Sequence, residues 1–306
     1  MNPLSAIIDH TARIAVIAFH AFTQLVRMKV FYFLAFFALS VIASNFFNLA
    51  QHEGPEAAGI GVLRIIKNAC LGAMHLFTVV LAIVATALLL PKDVEDRTLY
   101  TILAKPVPRL DYLAGKLFGV LLLVFVSLAI MDGLMTGALQ LRTNMVLTDQ
   151  MAYAESSGWP VEEMDALKKD ILAEGPTVSL QYAVFATFLR AAVIASATLL
   201  ISTFASSTLF STIIAFLIYF IGHFQSDART ALLNQEAGMS DGFLSNAVSL
   251  LVALVLPDFK LFNVIDAVIQ GQVFPLMILG KLTLMALFYV FFYIMASWLI
   301  FAKKEF

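Results

Sequence analysis

Long apolar runs constrain this chain more than any other feature. Six of them, at about Val30–Leu49, Ala69–Leu90, Leu117–Leu141, Ala183–Phe204, Leu209–Phe224 and Leu276–Phe301, are almost free of charge. In hydrocarbon every backbone N–H and C=O must bond within its own segment, and a helix needs roughly 20 apolar residues to cross. None of the runs alternates as a barrel strand would. The sequence therefore predicts an all-α polytopic membrane protein with six transmembrane helices. Composition agrees. Charged residues make up 13% of the chain, about half the share in a soluble domain, and the mean hydropathy is +0.90.

The segments between the runs divide the chain further. In residues 1–29, Ile7, Ile8, Ile14, Ile17, Ala18, Phe22 and Leu25 recur at helical spacing, with Asp9, His10, Arg13, His20 and Gln24 between them. This predicts an amphipathic helix in the membrane interface, ahead of a six-span domain over 30–306. The first apolar run is too long for a signal peptide and lacks a small-residue cleavage site, so none is expected. Residues 142–180 are polar, and Val161–Leu172 has amphipathic spacing, which predicts a helical insertion outside the membrane. Phe243–Leu256 is apolar but only fourteen residues long, and Pro257-Asp258 stops it. It reads as a re-entrant or interfacial helix between spans five and six.

Orientation follows from Lys and Arg. Arg13, Arg27, Lys29, Lys92, Arg97, Lys105, Arg109, Lys116, Lys303 and Lys304 fall in the shorter segments on one side. The opposite segments are longer, poorer in cations for their length and richer in Asp and Glu. Both termini are therefore expected in the cytoplasm of a prokaryotic-type inner or plasma membrane.

The polar island between spans two and three carries the strongest functional signal. It reads Pro91-Lys92-Asp93-Val94-Glu95-Asp96-Arg97-Thr98-Leu99 and continues to Leu103-Ala104-Lys105-Pro106-Val107-Pro108-Arg109. Asp93–Leu103 can form a short helix, with Pro91 near its start and Pro106 and Pro108 beyond its end. Residues alone leave two readings open: a solvated connector, or a docking element presenting Leu99, Ile102 and Leu103.

This run resembles the signature of ABC-2 type transporter permeases. The acidic cluster Asp93, Glu95 and Asp96 fits it, as do Thr98, Pro106, Val107, Arg109, Gly115 and Lys116. Arg97 stands where the family has Gly, and Pro108 where it has Ser. The amphipathic start leading into Arg27-Met28-Lys29-Val30-Phe31-Tyr32 is similar to the family's elbow helix. Leu256-Pro257-Asp258-Phe259 and the closing Phe301-Ala302-Lys303-Lys304-Glu305-Phe306 are similar to stretches in its members.

The resemblance implies a permease subunit of an ATP-driven transporter, expected to be an exporter and to work as a homo- or heterodimer. The island would be the coupling helix that fits a cleft on a separate cytoplasmic ATPase. Asp93, Glu95, Asp96, Thr98, Leu99, Leu103, Pro106 and Arg109 are the expected coupling residues. The chain has no Gly-x-x-x-x-Gly-Lys-Ser/Thr loop to cradle phosphates, because Gly115-Lys116 runs on into Leu117. It is expected to hold no cofactor and to be no enzyme, with ATP and magnesium on the partner ATPase. Two other classes are weighed: a scaffold without transport, and a membrane enzyme acting on lipid-linked substrates. The second would need convergent polar residues at one membrane face. No nucleic-acid partner is implied.

Three further features bear on the bundle. Gly115, Gly119, Gly133 and Gly137 in span three form two small-x-x-x-small pairs. The second pair begins five turns after the first, so both share one face. They predict packing within the bundle, or else a dimer interface or pathway wall. Asp132 in span three and Arg190 in span four are expected to form an intramembrane ion pair, because a lone charge at that depth costs about 3 kcal/mol or more. The lone Cys70 and the isolated His75 and His223 predict neither a disulfide nor a metal site.

Overall fold

The computed structural model describes residues 3–27, 36–37, 39–41, 59–95, 107–205, 207–236, 256–269 and 275–303. Its regular elements are helical: α1 (Pro3–Val26), α2 (Ile60–Glu95), α3 (Arg109–Ser156), α4 (Val161–Ala173), α5 (Val178–Phe204), α6 (Thr208–Glu236), a 3₁₀ turn (Phe259–Phe262), α7 (Ile265–Ile269) and α8 (Leu276–Ala302). Among the described residues, α2, α3, α5, α6 and α8 are long and apolar enough to cross a membrane. These are the expected spans two to six. The expected first span, Val30–Leu49, lies largely outside the described residues, although residues 36–37 and 39–41 are helical. Phe243–Leu256, read as re-entrant, also lies outside them except for Leu256.

Burial separates these helices by role. In α5, Val193, Ala195 and Leu199 are wholly buried, and Ala186, Ala191 and Ala197 keep its surface shallow. Small side chains let neighbouring backbones approach, which suits a central helix in lipid. It contacts α2, α3, α6 and α8. By contrast α6 and α8 keep Leu209, Ile213, Leu284 and Phe291 on the outside. Such residues would face lipid in a bilayer, so their exposure needs no protein partner.

Helix α1 packs most heavily on α3. A Cβ on Gly115 would lie 2.7 Å from Ile17, and one on Gly119 would lie 2.6 Å from the Cβ of Ala21. The first glycine pair is thus a close helix crossing inside this chain. The second pair differs: nothing lies within 4 Å of a Cβ on Gly133 or Gly137. Paired positions advance together, from His10 with Asp111 to Ile17 with Gly115 and Ala21 with Gly119. The two helices therefore run side by side in the same direction. Ala21 and Leu25 are buried while Val16 and Phe19 stay exposed, so part of the amphipathic helix has a protein partner.

The expected helix over Asp93–Leu103 begins differently. Helix α2 continues through Pro91 to Glu95, so Asp93 belongs to the last turn of a span. Proline there forfeits the bond to the carbonyl four residues back. Tertiary bonds at Asp93 hold that turn instead. Residues 96–106 lie outside the described residues. At its far end α3 runs beyond the membrane-length core to Ser156. It closes there with Trp159 N–H donating to Ala154 O and Gly158 at φ 71°, a left-handed cap that glycine adopts without steric cost. α4 then packs back on α3, over the stretch whose spacing read as helical, Val161–Leu172.

Candidate functional site

The described ends of the polar island meet in one buried polar cluster. Lys116 Nζ lies 2.6 Å from Asp93 Oδ2, and Tyr112 donates its hydroxyl to the same oxygen at 2.5 Å. Lys116 is 1% exposed and Asp93 4%. Tyr112 and Lys116 sit one turn apart on α3, so both reach the carboxylate from one face. The Lys116 ammonium also lies 5.7 Å from the Tyr112 ring centre, and Tyr112 stacks on Phe301 of α8 at 6.0 Å.

The start of α3 is fixed from two more sides. Arg109 donates from Nη1 to the carbonyls of Phe301 (2.6 Å) and Ala302 (2.8 Å) and lies over the Phe301 ring. Those carbonyls lie at the C-terminal end of α8, where the guanidinium bonds them and complements the helix dipole. Asp111, in the first turn of α3, accepts from His10 Nδ1 at 2.7 Å, with Arg13 Nε 3.7 Å away. An acidic residue suits that helix start. Four helices (α1, α2, α3 and α8) are thereby joined around the two ends of residues 96–106.

The chemistry of this cluster is ion pairing and hydrogen bonding between helices. Among the described residues no set of His, Cys, Asp and Glu could hold a metal. What the cluster does is tie the described ends of α2 and α3 to each other and to α8.

A family model for the ABC-2 family transporter protein matches residues 48–240, more than half of the chain, and spans both ends of this cluster. The chain belongs to the ABC-2 transporter family. No curated protein matches it. Membership of this family, with several helices of membrane-spanning length, makes the chain an ABC-2 transporter membrane protein. The family is typically a membrane subunit partnered with an ABC ATPase.

The residues singled out in the sequence separate on this ABC-2 scaffold. Asp93 turns inward to Lys116 and Tyr112, and Arg109 reaches the end of α8; both are bonded within the chain. Glu95 is the final residue of α2. Asp96, Thr98, Leu99, Leu103 and Pro106 lie outside the described residues. The sequence reading missed His10, Asp111, Tyr112 and Phe301 as partners. The i, i+4 pair of Tyr112 and Lys116 was its only visible hint.

The expected pair of Asp132 and Arg190 does not form. Asp132 accepts from Gln181 at 3.1 Å, whereas Arg190 lies against the His75 ring, 2.7 Å from Nδ1. Gln181 and Arg190 are nine residues apart on α5, which is about 14 Å of rise and about half a revolution. They leave opposite faces of the helix, so only one can reach α3 near Asp132. Arg190 is 1% exposed. His75 in turn lies 3.2 Å from the Tyr219 hydroxyl. These three helices therefore meet at a buried cation with no carboxylate in reach among the described residues.

A second polar cluster lies at the other end of α2. Glu174, between α4 and α5, accepts from Arg64 at 2.7 Å and from Lys67, which is buried. Burial by itself would raise the Glu174 pKa. The hydrogen bonds from Lys67 and Arg64 outweigh it and hold the carboxyl below its ordinary value.

Proposed function

We propose that this chain is the permease subunit of an ATP-driven exporter and works as a dimer with two separate ATPase subunits. One observation carries the reading. The two ends of residues 96–106 are anchored in the same buried cluster, through Asp93 on one side and Arg109, Tyr112 and Lys116 on the other. A segment held this way acts as a lever. ATP and magnesium bind on the partner. Closure of the ATPase pair presses Glu95, Asp96, Thr98 and Leu99, and the cluster passes that displacement to α2, α3, α8 and α1 together. The path between protomers is reshaped as the helices tilt. The orientation that puts the segment and both termini in the cytoplasm, and a first span over 30–49 that completes six, belong to the same reading.

The test separates contact from anchoring. With Glu95, Asp96, Thr98 and Leu99 all changed to Ala, the detergent-solubilised chain should keep its thermal midpoint but no longer co-purify with its ATPase. Undiminished co-purification would overturn the assignment.

A further inference from the structure

Two cavities of unlike chemistry adjoin where α1 meets α2. The first, about 440 Å³, is lined by residues such as Leu25, Phe36, Phe37, Leu76, Val84 and Leu88. Ser40 also lines it, but its hydroxyl is bonded to the Phe36 carbonyl at 2.9 Å, which leaves the wall apolar. On α2 the groove runs from Ala73 to Leu88, about 22 Å of helix. That exceeds the roughly 15 Å of hydrocarbon in one leaflet.

The second cavity, about 490 Å³, is lined by His20, Thr23, Gln24, Arg27 and Lys92. Lys92 lies one helical turn beyond Leu88, and Arg27 two residues beyond Leu25, so the basic cavity opens at the end of the apolar one. Thr23 is satisfied by the Phe19 carbonyl. Among the described residues, neither Arg27 nor Lys92 has an ion-pair partner. Gln24 Oε1 has no hydrogen-bond partner either.

We infer that the paired cavities bind one anionic phospholipid, its acyl chain along α2 and its phosphate against Arg27 and Lys92. Charge and shape both favour this occupant. A groove walled by apolar side chains in a membrane-spanning region accommodates a hydrocarbon tail, and two cations at its mouth prefer an anionic headgroup over a zwitterionic one. A second protein copy would have to bring a carboxylate and an apolar ridge to the same two places. The assignment is independent of the ATPase and stands or falls without it.

The experiment uses the full chain in detergent, with bound lipid counted by native mass spectrometry. Dioleoyl phosphatidylglycerol should bind about tenfold or more tightly than dioleoyl phosphatidylcholine, since each cation near an anionic group changes affinity about fivefold. The double variant Arg27→Gln/Lys92→Gln should lose roughly 25-fold for phosphatidylglycerol and little for phosphatidylcholine. Lys92→Arg should bind as the parent does. Val84→Trp, which fills the groove, should weaken both lipids. Arg27 is exposed, Lys92 is half-buried and neither is ion-paired among the described residues, so the double variant folds and decides the matter even where Val84→Trp does not. Equal binding of the two lipids by the parent chain would overturn the inference, as would parent-like binding by the double variant. So would displacement of phosphatidylglycerol by inorganic phosphate alone, which would mark a free-anion site. Leu76→Cys on a Cys70→Ser background should stay monomeric under oxidation. A disulfide-linked dimer there would place a second copy on the groove and overturn the lipid.

Discussion

The two ends of α2 solve the same problem in different ways. At one end Asp93 is buried under Tyr112 and paired with a lysine that is itself almost fully covered. At the other, Glu174 takes one buried and one exposed cation, Lys67 and Arg64. Along α2 the two clusters are about 39 Å apart, longer than the roughly 30 Å of bilayer hydrocarbon. Each helix end thus sits where water or headgroups can help solvate charge. The difference lies in what each joins. The Asp93 cluster ties four helices together around the two ends of residues 96–106. The Glu174 cluster ties α2 to the turn between α4 and α5. A half-open pair tolerates movement; a buried one transmits it, because breaking it leaves an uncompensated charge.

Removing one partner at each end tests that contrast. Asp93→Ala should cost about 3–5 kcal/mol of stability by stranding Lys116. Pairing Asp93→Leu with Lys116→Met should recover much of that loss in thermal unfolding. If the single change costs under about 1 kcal/mol, the cluster is not the rigid end. Glu174→Gln should cost less, about 1.5–3 kcal/mol, because Arg64 can turn to solvent.

The Glu174 end should also be the acid-sensitive one. Its carboxyl is held below the ordinary value. Its contribution is therefore complete above the pKa of an unfolded glutamate, about 4.3, and is lost as pH falls through the lowered value. A thermal midpoint followed from about pH 7 to about pH 3 should show an acid limb that Glu174→Gln lacks. An identical limb in the variant would remove Glu174 from the account.

Smaller effects sharpen the picture at the Asp93 end. Gly119→Val should cost about 1–3 kcal/mol by driving α1 off α3. The same change at Gly137 should be nearly silent in the isolated chain, because nothing lies close to that Cβ. Equal costs would mean that the two glycine pairs share one role. Tyr112→Phe should cost about 1.5 kcal/mol, the low end for one hydrogen bond to a carboxylate that keeps its lysine.

Legibility in the sequence followed the range of the interaction. Helices α5 and α8 start and stop within about five residues of the expected spans, because hydropathy over 20 residues is a local property; α6 starts where expected but runs on to Glu236, past the expected end at Phe224. The spacing over Val161–Leu172 likewise marked α4. The end of α2 was not legible. Pro91 reads as a helix start, whereas α2 runs past it to Glu95, with Asp93 bonded to residues on α3. The Asp132–Arg190 expectation failed on geometry: Gln181, which meets Asp132, is about 14 Å of rise and half a revolution from Arg190 on α5, so depth and azimuth both send the arginine to His75 instead.

By itself the sequence determined the solvent this protein requires, its all-helical architecture and its family. Those follow from the apolar length of each segment and from one polar motif, and neither depends on distant residues. Tertiary structure alone decided which charges face inward. A buried carboxylate is tolerated only where a cation and a hydroxyl converge on it, and convergence of α2, α3 and α8 is a property of packing. The same motif residues thus divide, with Asp93 and Arg109 turned into the bundle as anchors.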